Sequence, residues 1–482
     1  MSSDLPFGFS AGGDDEIPHQ GGSGGADGSD GPGGPPSPFG FGEGFDPSQL
    51  DMSQLGAALQ QLGAMLQSGG ADAGAAVNWT LAHDTARGLV AQAGDPSVSA
   101  VERREVEQAL DLATLWLDPV STFPATSSGG GAWSRSEWIE ATLPSWQRIV
   151  EPVAVRVNDS MNGILPTEGL PEGLPPEFAQ MAAPLMGMAR QMGSMMFGSQ
   201  LGQGLGTLAS EVLGAADVGI PLTDDARCAL LPRNVAAFGE GLGVDIEQVR
   251  LYVALREAAS QRLFAHVPWL RSQLTAAVEA YASGITLDRS RIEDAARGID
   301  PSNPEAMQEV LASGVFVPED TPEQMAALAR LETLLALVEG WVDDVVTEAC
   351  AGRLPAADAL RETMRRRRAS GGPAEKTFAT LVGLELRPRR LREASQLWSA
   401  VREARGLEAR DALWGHPDLL PAPDDLDGDD AIAAFVVRTA PLDLSALEGL
   451  APAPEDPQDP APGDAPGDAP GDDGVPPGLG DA

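Results

Sequence analysis

Apolar residues recur every three or four positions from about residue 46 to residue 440, and alternating period-two runs are scarce. That is the repeat of an amphipathic helix. A chain patterned this way can bury its apolar stripes only by packing helix on helix, so an all-α (mainly α), multi-helical body is expected. The pattern predicts helices over 52–67, 77–93, 100–116, 135–159, 176–214, 245–265, 269–283, 321–350, 355–367, 374–384 and 388–405. Pro119, Pro124 and the glycines at 129–131 predict a loop over 118–132, and prolines within 163–175 break the chain again. The expected organisation is an N-terminal helical region, 46–170, followed by a larger helical body, 171–440.

The two ends lack this pattern. Residues 1–45 are rich in Gly, Pro, Ser and Asp, with seven acids and no Lys or Arg. Residues 441–482 carry ten acids, again with no Lys or Arg, and a near-repeat of Ala-Pro-Gly-Asp. Neither segment holds enough apolar area to offset its chain entropy, so both are expected to be disordered acidic tails. The formal net charge of −39 argues against nucleic acid and against an anionic membrane as partners. Met1-Ser2-Ser3-Asp4 opens no basic segment followed by an apolar one, and a cytoplasmic location is expected.

One apolar stretch needs a separate account. Residues 178–210 are Met- and Gly-rich, with Gly198, Gly202 and Gly206 four apart, a spacing that lets helices approach closely. Arg190, Gln191, Gln200 and Gln203 interrupt it. A buried helix with tight backbone packing is expected there rather than a membrane span.

The residues that commonly carry chemistry are sparse. Cys228 and Cys350 are the only cysteines and give neither a disulfide framework nor a thiolate zinc site. The four histidines are His19, His83, His266 and His416, and no two are three to five apart, so no helix-borne pair of imidazole ligands exists. His83, beside Asp84, reads as a helical histidine near an acid. His266 and His416, each beside Pro and Trp, read as structural residues in packed turns. The basic run Arg365–Arg368 is expected to pair with the protein's own carboxylates. The acidic run 424–430 lacks the glycine and glutamate placement of an EF-hand and reads as a flexible linker.

Two helices break the apolar rule. In 245–264 the stripe runs Ile246, Val249, Val253, then Arg256 and Ser260, then Leu263, with Glu257 alongside. In 321–350, opened by a Thr321-Pro322-Glu323-Gln324 start signal, Glu339 falls between Leu335 and Val342, and Asp343 follows one turn on. Charges on apolar stripes are costly unless paired. Opposite charges on two such stripes point to a paired interior site.

Several of these segments resemble the actinobacterial zincin-like metallopeptidase type 2 family, a group assigned as hydrolases and named for an HExxH helix. The resemblance is carried by 255–264, His266 to Leu270, Glu339-Gly340-Trp341-Val342-Asp343, Gly371 to Glu375, Gly383 to Arg390, and Trp414 to Asp418, and it covers roughly 46–440. It implies a zincin-like helical body and, in the family, zinc. By the resemblance Glu257 matches the general base, Arg256 and Ser260 stand at the two histidine ligand positions, Glu339 matches a third ligand, and Asp343 stands behind it. With both imidazoles replaced, no metal is expected in this chain. Arg256 is expected to stand in for the cation and pair with Glu339, with Asp343 or Glu257 as further partners. Three functional classes stay open. The first is a family member without zinc or peptidase activity, a pseudoenzyme with a binding or regulatory role toward a peptide or protein. The second is an active metal-dependent hydrolase using Glu257 as base. The third is an interaction protein acting through its acidic tails.

Overall fold

The computed structural model describes residues 75–126, 130–162, 176–284, 321–369 and 390–440. All of them fall within one compact unit, Ser68–Ala482. The helices expected over 52–67 and 374–384, and both tails, lie outside the described residues. What is described is mainly helical. Its helices are α1 (Trp79–Gln92), α2 (Ala100–Leu117), α3 (Arg135–Asn162), α4 (Pro176–Glu211), α5 (Pro232–Gly239), α6 (Ile246–His266), α7 (Pro268–Ser283), α8 (Pro322–Cys350), α9 (Ala357–Ala369), α10 (Leu391–Arg405), α11 (Leu407–Ala412) and α12 (Asp429–Arg438).

Local chemistry sets the helix starts. The Asn78 side chain accepts from the Leu81 N–H at the head of α1. Ser99 and Glu102 form a reciprocal capping box on α2, and Thr321 and Gln324 form another on α8. Each satisfies N–H groups that the helix itself leaves unpaired.

The glycine-rich α4 lies along α1. A Cβ on Gly198 would sit 2.5 Å from the Asn78 carbonyl oxygen, and one on Gly202 2.5 Å from that of Ala82. These contacts are possible only between backbones, which is why the glycines recur every four residues. Elsewhere on α4, Met192 and Met196 are exposed. No helix among the described residues is long and apolar enough to cross a membrane.

Two helices form the centre. Every residue of α6 from Leu251 to Leu263 is buried, and so is every residue of α8 from Leu334 to Val346. A helix buried all round has neighbours on every side: α6 packs on α2, α5 and α8, and α8 also packs on α7 and α10. At Gly340 the α8–α10 crossing leaves no room for a side chain, since a Cβ there would lie 2.6 Å from that of Ala394.

Three features differ from the sequence expectation. First, a short parallel pair exists, β1 (Gly131–Ala132) with β2 (Ala229–Leu230), and Leu230 also bridges Gly214. Two-residue strands leave no period-two signal to read. Second, α5, α11 and α12 lie where no helix was expected; each is ten residues or fewer. Third, the 424–430 run is no flexible linker. Pro423–Leu426 forms a 3-10 turn, and Asp429 and Asp430 open α12 at its positive end. Asp425 accepts from the Ala422 N–H and from Arg438.

Candidate functional site

The charged residues of α6 and α8 face each other inside the core. Arg256 Nη2 donates to Glu339 Oε2 at 2.5 Å, with side chains only 8% and 5% exposed. A second arginine reaches the same carboxylate from α9, with Arg368 Nη2 3.1 Å from Glu339 Oε1. Both oxygens of Glu339 are therefore held by guanidinium groups. The turn after α4 closes the site. Gly219 has a φ of +83° there, and a Cβ on it would press on Glu339 Oε1 at 3.2 Å. Glycine suits both demands.

The basic run of α9 is spent inward. Arg367 and Arg368 bind Asp217, which is almost wholly buried. Arg365 binds Asp343, while Arg366 pairs with Glu362 on its own helix. Asp343, one turn beyond Glu339, also accepts from Arg361 and from Ser395 Oγ. Burial alone would raise the Asp217 and Asp343 carboxyl pKa values, but the arginines outweigh it and both end below the ordinary range. Burial likewise opposes the charge on Arg256. The negative field of Glu339, with help from Tyr252, Asp343 and Asp217, reverses that and raises its pKa.

Glu257 lies beside this cluster and is held by three hydrogen bonds. Its Oε2 accepts from the Ala216 N–H at 2.9 Å. Its Oε1 accepts from the Ala229 N–H at 3.3 Å and from Gln261 Nε2 at 3.0 Å. The carboxyl thus ties α6 to β2 and to the turn after α4. Burial dominates its titration and pushes it up to about 7, against the three hydrogen bonds, which favour the charged form. Gly214 makes room for it, since a Cβ there would sit 2.5 Å from Glu257 Oε2.

Leu213, Gly214, Val253, Arg256, Ser260 and Met364 are among the walls of a cavity of about 20 Å³, room for one or two waters. A zinc site needs three or four lone-pair donors in a tetrahedral array. Arg256 offers only N–H groups, Ser260 offers a neutral hydroxyl, and Glu339 has both oxygens engaged. The residues at this position do not fit zinc. Nor do three His, Cys, Asp or Glu residues gather to hold a metal elsewhere among the described residues.

His83, His266 and His416 lie apart from this site. His83 bridges Asp84 and Glu140 at the surface, and its hydrogen bond to Glu140 leads in raising its pKa. His266 bonds the Arg262 carbonyl through Nδ1 and stacks on Phe123. His416 differs from expectation. Its side chain is mostly exposed and accepts from the Asp418 N–H, while Trp414 fills the packed position, stacked on Trp398 and Trp269. The segments 371–375 and 383–389 lie outside the described residues.

Two participants were missed by sequence reasoning. Asp217 is a lone acid in the short apolar stretch Gly214-Ala215-Ala216-Asp217-Val218-Gly219, outside any helical stripe of the kind that marked Glu339. The other is a buried network in which Asp344 takes Arg402 and Arg410, and Arg410 takes Asp411. Asp411 also accepts from Trp341 Nε1 and from the Thr122 N–H, fixing the loop after α2.

Removing one side of the central pair strands the other in the core. Arg256→Met or Glu339→Leu alone should cost about 3–5 kcal/mol in urea unfolding, and the double variant should recover most of that loss; additive losses would show that the two groups do not depend on each other. Glu257 sets a pH dependence. Its folded pKa is raised, so its contribution is complete below about 4.5 and is lost as pH rises through about 7. The loss amounts to roughly 3 kcal/mol. Between pH 5 and 8 the unfolding free energy of the wild type should fall relative to that of Glu257→Gln by roughly 3 kcal/mol; parallel curves would contradict the shift.

A comparison with curated proteins returns no match. Among solved structures, the chain is similar to one described as a "putative hydrolase with a novel fold" from Chloroflexus aurantiacus. The TM-score is 0.50 and the identity 20%, over 75% of this chain and 98% of that one. This likeness speaks to the fold. A model of the zincin-like metallopeptidase family matches residues 77–433, a span that holds α6, α8 and the carboxylate–arginine cluster between them, and the chain therefore belongs to that family.

Proposed function

We propose that this chain is a zincin-like protein whose metal position is filled by arginine. It keeps the scaffold for a binding or regulatory role toward a peptide or protein, without zinc and without peptidase activity. One observation carries the reading: the two oxygens of Glu339 are taken by Arg256 and Arg368. A guanidinium matches the sign of the metal's charge, which offsets the cost of burying the Glu339 carboxylate. It cannot do the metal's chemistry. It has no open coordination position and does not convert bound water to hydroxide.

A hydrolase reading has one observation on its side. The Glu257 carboxyl, at about 7, would suit a general base near neutral pH. Against it, each of its oxygens already accepts a backbone N–H, and the nearest positive group that could polarise a substrate is locked to Glu339. The net charge of −39 supports a peptide or protein partner over nucleic acid.

The test is proteolysis by the full chain. A peptide library incubated with the protein and added zinc, read by mass spectrometry, should match the buffer control for wild type and for Glu257→Gln alike. Cleavage by wild type that disappears in Glu257→Gln would overturn the proposal.

A further inference from the structure

We infer that the groove between α3 and α7 binds a short apolar peptide with both termini free, its carboxylate at one end and its ammonium at the other. The inference rests on the preceding reading, that the chain serves a peptide or protein partner, and gives that partner a place and a chemistry.

Three observations support it. The first is space. The groove encloses about 430 Å³, within the range of sites for small ligands. Ile149, Ile220, Pro221, Leu274, Val278 and Leu331 give it an apolar floor. They come from α3, the turn after α4, α7 and the first half of α8. The groove shares no lining residue with the small cavity beside Glu339.

The second is charge. The charged side chains that line the groove are Arg148, Arg271 and Glu279, and they stand in two places. Arg148 and Arg271 both reach Asp224, so two guanidinium groups against one carboxylate leave that end with one positive charge. The two arginines make five hydrogen bonds out of about ten N–H groups, and keep donors for a ligand. Glu279 is exposed, two turns along α7 from Arg271, and no cation among the described residues pairs with it. Arg271 lies in the first turn of α7 and Glu279 in its C-terminal half. Helix electrostatics would place the two charges the other way round, so the helix itself does not explain them. For a ligand the order is favourable: a carboxylate beside Arg271 meets the positive end of the helix dipole, and an ammonium beside Glu279 meets the negative half.

The third is length. Positions 271 and 279 are about 12 Å apart along the helix axis, and an extended chain of four residues spans roughly 13 Å. A tetrapeptide therefore sets an end on each charged place while its side chains cover the apolar floor. A fatty acid answers the arginine end alone.

The experiment is titration calorimetry on the full-length protein with the tetrapeptide Ala-Leu-Val-Leu. Wild type should bind about one peptide per chain, and the C-terminal amide and the N-acetyl form should each bind about fivefold more weakly. Arg271→Gln should lose the preference for free carboxylate over amide and keep the preference for free amine. Glu279→Gln should do the reverse. If Arg271→Gln fails to fold, Arg148→Gln tests the same end. No saturable binding, or preferences that neither substitution moves, overturns the inference. Decanoate that displaces the peptide at equal concentration assigns the groove to fatty acids and overturns it as well. The peptide is recovered after a parallel incubation with zinc. Cleavage that disappears in Glu257→Gln overturns the preceding reading, whereas intact peptide that does not bind overturns this inference alone.

Discussion

Burying one charge on each of two central helices is tolerable only if the two charges meet. Arg256 on α6 and Glu339 on α8 do meet, with almost no solvent access. Removing either residue leaves the other's charge poorly compensated in the core, at a cost of about 3–5 kcal/mol, a large share of the stability of many domains. The pair therefore fixes more than itself. It sets which faces of α6 and α8 adjoin, and it recruits α9 through Arg368 and the turn after α4 through Asp217 and Gly219.

The surrounding shell follows from the same constraint. Three further buried carboxylates are matched by arginine: Asp217 by α9, Asp343 by Arg361 and Arg365, Asp344 by Arg402 and Arg410. Arginine suits this work because its planar fork can satisfy two acceptors at once and stays charged when buried. Glycine appears wherever a carboxylate needs the space beside it, as at Gly214 against Glu257 and Gly219 against Glu339. Family membership describes this scaffold, and activity depends on which atoms stand at its centre. Here the atoms around Glu339 are the N–H donors of Arg256 and Arg368.

Much of this could be read from residue spacing. The helical period located α6 and α8 because both are long and carry strong apolar stripes. The charge oddities at Arg256 and Glu339 stood out because they interrupt those stripes. The glycine spacing of α4 foretold its close approach to α1. Other parts left weak signals or none. Two-residue strands have no period. Asp217 sits in a stretch too short to show a stripe, so nothing in the spacing said that it faces the site. The inward turn of Arg367 and Arg368 depends on where α9 packs, a long-range contact that local pattern does not encode. Glu257 was matched to a base by resemblance alone; its hydrogen bonds to the Ala216 and Ala229 N–H groups are long-range contacts that the spacing did not show.

The account turns on a guanidinium holding the place of a cation. Zinc titration by calorimetry, comparing wild type with the double variant Arg256→His/Ser260→His, addresses that directly. Restored imidazoles one helical turn apart, together with Glu339, should bind about one zinc per chain, while the wild type binds none. Equal stoichiometric zinc binding by the wild type would contradict the account.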